Sequence, residues 1–172
     1  YITQATLIDG SSLSQVAEKA SIVSYTYGDP LKPGKLTGAT ETQHGEVTST
    51  DVFGNITVTK TENTYDQTLI QNYGIVKVSQ AKTYITSATL LDGSHLEQGV
   101  SRASIITYTY DESGIGKADP NKHGILTSAN ETQHGEVKTI DVFGNWSVTR
   151  TTNTYNTELI RNYGIVKVAS ST

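Results

Sequence analysis

The sequence predicts an all-β fold: two tandem β-rich repeats packed together, built of antiparallel meanders, with at most one short helix per repeat. Three observations predict it. The chain repeats itself over about 85 residues, Thr, Ser, Val and Tyr dominate its composition, and Gly-containing turns punctuate short alternating runs. β-branched and aromatic residues favour a pleated, half-exposed surface.

The repeat is the strongest of the three. YITQATLIDGSSL at Tyr1 returns as YITSATLLDGSHL at Tyr84, 83 positions on. ETQHGEV at Glu41 returns at Glu131, DVFGN at Asp51 at Asp141 and NYGIVKV at Asn72 at Asn162, each 90 positions on. The step from 83 to 90 puts a seven-residue insertion within residues 111–124, where the second copy reads DESGIGKADPNKHG. Insertions collect in exposed loops, so the segment is expected to join two strands. Elsewhere about two-thirds of paired positions are identical. The copies are residues 1–83 and 84–172. No Pro or Gly cluster separates the strand-like runs at the join, so the copies are expected to pack together and not to hang on a flexible linker.

Within each copy, His44-Gly45 and Gly54-Asn55, with His134-Gly135 and Gly144-Asn145, read as turns. Gly tolerates positive φ, and Gly-Asn suits a two-residue hairpin of the primed type. The expected product is a three-stranded meander of LTGATETQ, EVTSTDV and NITVTKTENTY. Further strands are expected at SIVSYTY, LIQNYGIVKV and TYITSATLLDG and their copies. SSLSQVAEKA spaces Leu13, Val16, Ala17 and Ala20 as a helix would, but a bent loop serves it equally, and Gly99 weakens the helix in the second copy.

Composition limits the function classes. Hydrophobic residues are 35% of the chain, with two Phe and one Trp, so each copy has little apolar material for a core of its own and is expected to gain packing from its neighbour. Charged residues are 17%, the net charge is −4 and no Lys/Arg cluster exists, which argues against nucleic acid. No apolar stretch approaches the roughly 20 residues that span a bilayer. Cys is absent, removing thiolate metal sites and Cys nucleophiles; Met is absent too, which points to a piece of a longer or processed protein.

Tyr25-Thr26-Tyr27, Gly34-Lys35-Leu36-Thr37, Gly45-Glu46-Val47-Thr48, Asp51 to Asn55 and Tyr65-Asp66 together resemble the Tyr-Asp (YD or RHS) repeat style. Gly28 stands where that style has Asp, and these units are longer. The resemblance implies a large bacterial surface or secreted protein, hence an extracellular or cell-surface location.

Glu41, His44 and Glu46, repeated as Glu131, His134 and Glu136, offer carboxylates beside an imidazole, a pairing that binds divalent metal or moves a proton. The competing reading is a turn flanked by solvated polar side chains. Asp9-Gly10, Asp92-Gly93 and Asp51 with Asn55 could contribute calcium ligands, though such pairs usually serve as turns; no cofactor is otherwise indicated. Tyr25 and Tyr27, with Tyr108 and Tyr110, point to one side of a strand and offer an aromatic surface for glycans, while core packing of at least one ring in each pair competes with that use. Asn55, Asn130 and Asn145 head glycosylation-type triplets. No GxSxG elbow or nucleophile-base constellation is present, so an enzyme is not expected. The expected role is a structural repeat segment of an extracellular fibre, stalk or surface assembly, partnered by neighbouring repeats or copies of itself. The alternative is an adhesin-type module that binds glycan or protein through the Tyr pairs and the loop of residues 111–124.

Overall fold

The computed structural model describes residues 2–111 and 124–172, and the chain is all-β with antiparallel sheets. The first copy contributes β1 (Gln4–Thr6), β2 (Ser12–Ser14), β3 (Ile22–Asp29), β4 (Lys32–Gln43), β5 (Gly45–Thr50), β6 (Ile56–Tyr65) and the helix α1 (Gln67–Tyr73). Then β7 (Val78–Thr89) crosses from one copy into the next, so the sequence border at residue 83 falls inside a strand. The second copy adds β8 (His95–Glu97), β9 (Ser104–Tyr110), β10 (Leu126–Gln133), β11 (Gly135–Ile140), β12 (Trp146–Thr151), β13 (Asn153–Tyr155), α2 (Thr157–Tyr163) and β14 (Val168–Ser171). The inserted segment lies mostly outside the described residues.

Seven strands form one sheet in the order β1-β2-β5-β6-β7-β9-β10. Smaller sheets pair β3 with β4, β13 with β14, and β12-β11-β8. The connection between the copies is therefore a hydrogen-bonded sheet: β7 pairs with β6 from Ile56↔Thr89 to Tyr65↔Val78, and its other edge pairs with β9 from Gln80↔Thr107 to Thr83↔Ser104.

The structure departs from the expected strands at LIQNYGIVKV and in the meander, and at SSLSQVAEKA it takes one of the two expected forms. LIQNYGIVKV is not one strand, because capping chemistry starts and stops a helix within it. The Asp66 carboxylate accepts the Leu69 amide at 3.0 Å, and Gly74 at φ 69° turns the chain out of the helix. The Gly74 and Ile75 amides then bond to the Ile70 and Leu69 carbonyls, the first of them the bond that closes a helix through a left-handed glycine. Asn156 and Gly164 repeat both caps around α2. Each copy thus has one short α-helix, at a place the periodicity did not mark. SSLSQVAEKA is the bent loop: Ser12–Ser14 is a strand between β1 and β5, followed by a single 3-10 turn at Ala17–Lys19. Gln15 holds it, donating to the Lys19 and Glu46 carbonyls at 3.1 and 3.0 Å.

The expected meander of three strands is also redrawn. β4 pairs with β3, and β5 pairs with β2 and β6, so His44 marks a passage from one sheet to another and not a hairpin. A meander instead runs through β5, β6 and β7. The turn between β5 and β6 spans Asp51 to Asn55, whose backbones bond at 3.0 Å around Val52, Phe53 and Gly54. A primed two-residue turn needs positive φ at one or both central residues. Here Gly54, at 88°, is third in a three-residue loop, and among the described residues no non-Gly residue is positive.

Apolar burial is thin. Among the described residues the large, fully buried side chains are Leu69, Ile70 and Ile160, carried by the two helices onto β4 and β10. Val52, Phe53, Leu91, Val142, Phe143 and Trp146 remain exposed. Sheets with so little enclosed interior depend on strand pairing and side-chain hydrogen bonds.

Candidate assembly interface

Where three strands of a copy converge, Glu41 is 7% exposed. Its carboxylate accepts from the Ser21 hydroxyl, from His44 Nδ1 at 2.8 Å, from the Asn63 amide at 2.6 Å and from Asn63 Nδ2 at 3.1 Å. Glu131 repeats the arrangement with Ser104 at 2.7 Å, His134 at 3.1 Å and Asn153 at 2.6 Å to the amide. Burial alone raises the pKa of each carboxyl, but the surrounding donors outweigh it and hold both below the usual carboxylate range. The imidazole is one arm of a knot that fastens the β4–β5 bend to β6 or its counterpart. Glu46 and Glu136 stand apart, reaching Lys19 at 3.0 Å and Arg102 at 3.9 Å. Among the described residues no three His, Cys, Asp or Glu side chains gather as a metal site would require.

The carboxylates considered for calcium are occupied as turn locks. Asp51 accepts from the Phe53 and Asn55 amides and from Asn55 Nδ2, all at 2.9 Å, and Asp141 does the same for its turn. Asp9 and Asp92 each take the amide and hydroxyl of the Ser two residues on.

At the junction between copies, Glu62 on β6 faces Lys82 and Tyr84 on β7. The Tyr84 hydroxyl donates to Glu62 at 2.7 Å and Lys82 Nζ approaches the same carboxylate at 3.3 Å. Burial first, then the Glu62 hydrogen bond, push the Tyr84 pKa up to about 12. Neither Glu62 nor Lys82 was singled out from the sequence; their opposed charges become adjacent only once the β6–β7 register is known.

The tyrosine pairs differ between copies. Tyr25 and Tyr27 on β3 are 51% and 60% exposed, whereas Tyr108 and Tyr110 on β9 are half-buried. The cause is β7. Lying beside β9, it covers the second pair, and the Tyr110 hydroxyl donates to the Val78 carbonyl at 2.7 Å. Among the described residues no strand lies beside β3 except β4. Tyr108 and Tyr110 also line a cleft of about 660 Å³ with Lys77, Arg161 and Tyr163.

Among the described residues β1 and β3 of the first copy and β12 and β14 of the second each keep an unpaired edge, as do β4, β8, β10 and β13. The counterparts of the first four edges are paired at the internal junction through β7. No helix among the described residues is long and apolar enough to cross a membrane. Comparison of the chain with protein-family models, with characterised proteins and with solved structures finds no match.

Proposed function

We propose that this chain is a structural repeat segment whose work is to extend a β-ribbon, as in an extracellular fibre, stalk or surface assembly. The observation that carries the reading is β7, a single strand hydrogen-bonded on one edge to β6 of the first copy and on the other to β9 of the second. Repeats that share a strand transmit mechanical load through backbone hydrogen bonds and bury surface that one unit alone leaves wet. The thin interior and the locked turns fit that use.

Circular dichroism of residues 1–83 and 84–172 produced separately, against the whole chain, tests it. Each part alone is expected to lose most of its strand signal or to melt well below the whole. A separate copy that melts as sharply and as high as the whole chain contradicts the reading.

A second reading, an adhesin-type module, has the cleft beside Tyr108 and Tyr110 in its favour, since aromatic faces with Arg161 at the rim suit a sugar. A glycan array probed with the chain and with Tyr108→Ala decides it: binding lost in the variant supports it, and a silent array removes it.

A further inference from the structure

We propose that a second copy of this chain docks its β12 and β14 onto β1 and β3, in the register that the chain already uses internally at β7. The inference rests on the structural-repeat reading and adds the partner, the edges and the residue pairs.

The internal junction supplies the template. Its contact with β9 pairs Gln80↔Thr107, Ala81↔Ile106 and Lys82↔Ile105, and its contact with β6 pairs Ile56↔Thr89, Thr57↔Ala88 and Val58↔Ser87. By the sequence repeat, Gln80 corresponds to Ser170, Ala81 to Ser171, and Thr107 and Ile106 to Ser24 and Val23. Ser170 of one copy therefore opposes Ser24 of the next, and Ser171 opposes Val23. In the same way Trp146 opposes Thr6 and Val148 opposes Gln4.

Both contacts follow from one sequence correspondence applied to the existing junction, where β7 makes them together. Each involves edges that are unpaired among the described residues, where β3 pairs only with β4, β14 only with β13, β1 only with β2 and β12 only with β11. Along β3, β14 and part of β12 several side chains are exposed where their internal counterparts are half-buried, whereas Trp146, Thr6 and Gln4 are as exposed as Ile56, Thr89 and Ser87. Tyr27 and Val148 are exposed, while Tyr110 and Val58 are half-buried. Docking would let Tyr27 donate to the Val168 carbonyl as Tyr110 does to Val78. An unpaired edge is a template for strand addition. Because the donor and acceptor edges are different surfaces, the contact is heterologous and leaves each end free for another copy, which propagates into a filament unless its rotation closes a ring.

The absence of Cys makes disulfide trapping clean. Full-length Ser24→Cys chain is mixed with a size-tagged Ser170→Cys chain under mild oxidation, and Val23→Cys with Ser171→Cys likewise. Neighbouring pairs in an antiparallel ladder alternate between wide and narrow, so one of the two has bridging geometry. The expected result is a mixed dimer in clear excess over either homodimer for at least one pair. Tyr25→Cys with Ser170→Cys, facing opposite sides, is expected to give none. Internal controls carry Gln80→Cys with Thr107→Cys, or Ala81→Cys with Ile106→Cys, in one chain. If an internal bridge closes and no mixed dimer exceeds the homodimers, the docking is overturned while the shared-strand reading stands. If neither internal bridge closes, both fall.

Discussion

The Tyr110 hydroxyl donates to the Val78 carbonyl at 2.7 Å, stitching β9 of the second copy to the start of β7. Its counterpart Tyr27 meets no such strand. Tyr110→Phe is expected to destabilise the chain by about 1 kcal/mol, the net worth of one hydrogen bond. Tyr27→Phe in the dilute chain is expected to change stability by less than about 0.5 kcal/mol. Urea midpoints of the two variants compare them directly, and equal effects would contradict the covering role of β7.

Glu41 and Glu131 should set the acid limit of the fold. Both carboxyls titrate lower in the folded chain than in the unfolded one, so the folded state binds fewer protons. Their contribution is complete above the ordinary Glu value of about 4.3 and is lost as pH falls through the lower, folded value. Glu41→Ala leaves the Ser21 hydroxyl and the Asn63 amide without their acceptor and is expected to cost about 2 to 4 kcal/mol. Unfolding followed from pH 6 to pH 2 should show the wild type losing stability steeply and the Glu41→Ala, Glu131→Ala double variant much less so.

Tyr84 acts at the other extreme. Its folded pKa, about 12, lies above the ordinary value near 10. The stability it contributes is therefore full below pH 10 and drains away between about pH 10 and 12. Tyr84→Phe is expected to flatten that alkaline loss, as read by thermal melts across the window.

The turns offer a steric test. Gly93 and Gly144 both have positive φ, 80° and 83°, but a Cβ on Gly93 would sit 2.8 Å from Val142 Cγ1, whereas nothing lies within 4 Å of one on Gly144. Each Gly→Ala change is expected to cost about 1 kcal/mol for the backbone, with Gly93→Ala costing more. Adding Val142→Ala should recover the excess at Gly93 and nothing at Gly144, measured as midpoints in a double-mutant cycle.

Much of this was legible in the residues. The duplication, the dominance of strands and the positions of the turns follow from self-similarity and Gly placement. The helices leave no periodic trace because seven residues such as Gln67–Tyr73 are too short for one; the legible signal is the Asp66 and Gly74 pair of caps. The passage at His44 looks like a hairpin in the sequence because turn residues show where a chain bends and not which strand it meets afterwards. Glu41 and His44 do come together, but the partners that make a knot of them, Ser21 and Asn63, lie 20 and 22 residues from Glu41 and are ordinary residues in a Ser- and Thr-rich chain. Likewise, the unequal exposure of Tyr27 and Tyr110 has no trace in their near-identical local sequences; it depends on which one has a strand alongside.

Scanning calorimetry of the whole chain with and without Leu69→Ala bears most directly on whether the two copies form one cooperative ribbon. Leu69 is fully buried in the first copy, and its truncation should cost about 2 to 5 kcal/mol. The expected trace is a single transition with calorimetric and van't Hoff enthalpies in agreement, and Leu69→Ala should carry the entire peak to lower temperature. Two transitions, of which Leu69→Ala moves one and leaves the other in place, would contradict the shared strand as the basis of the fold.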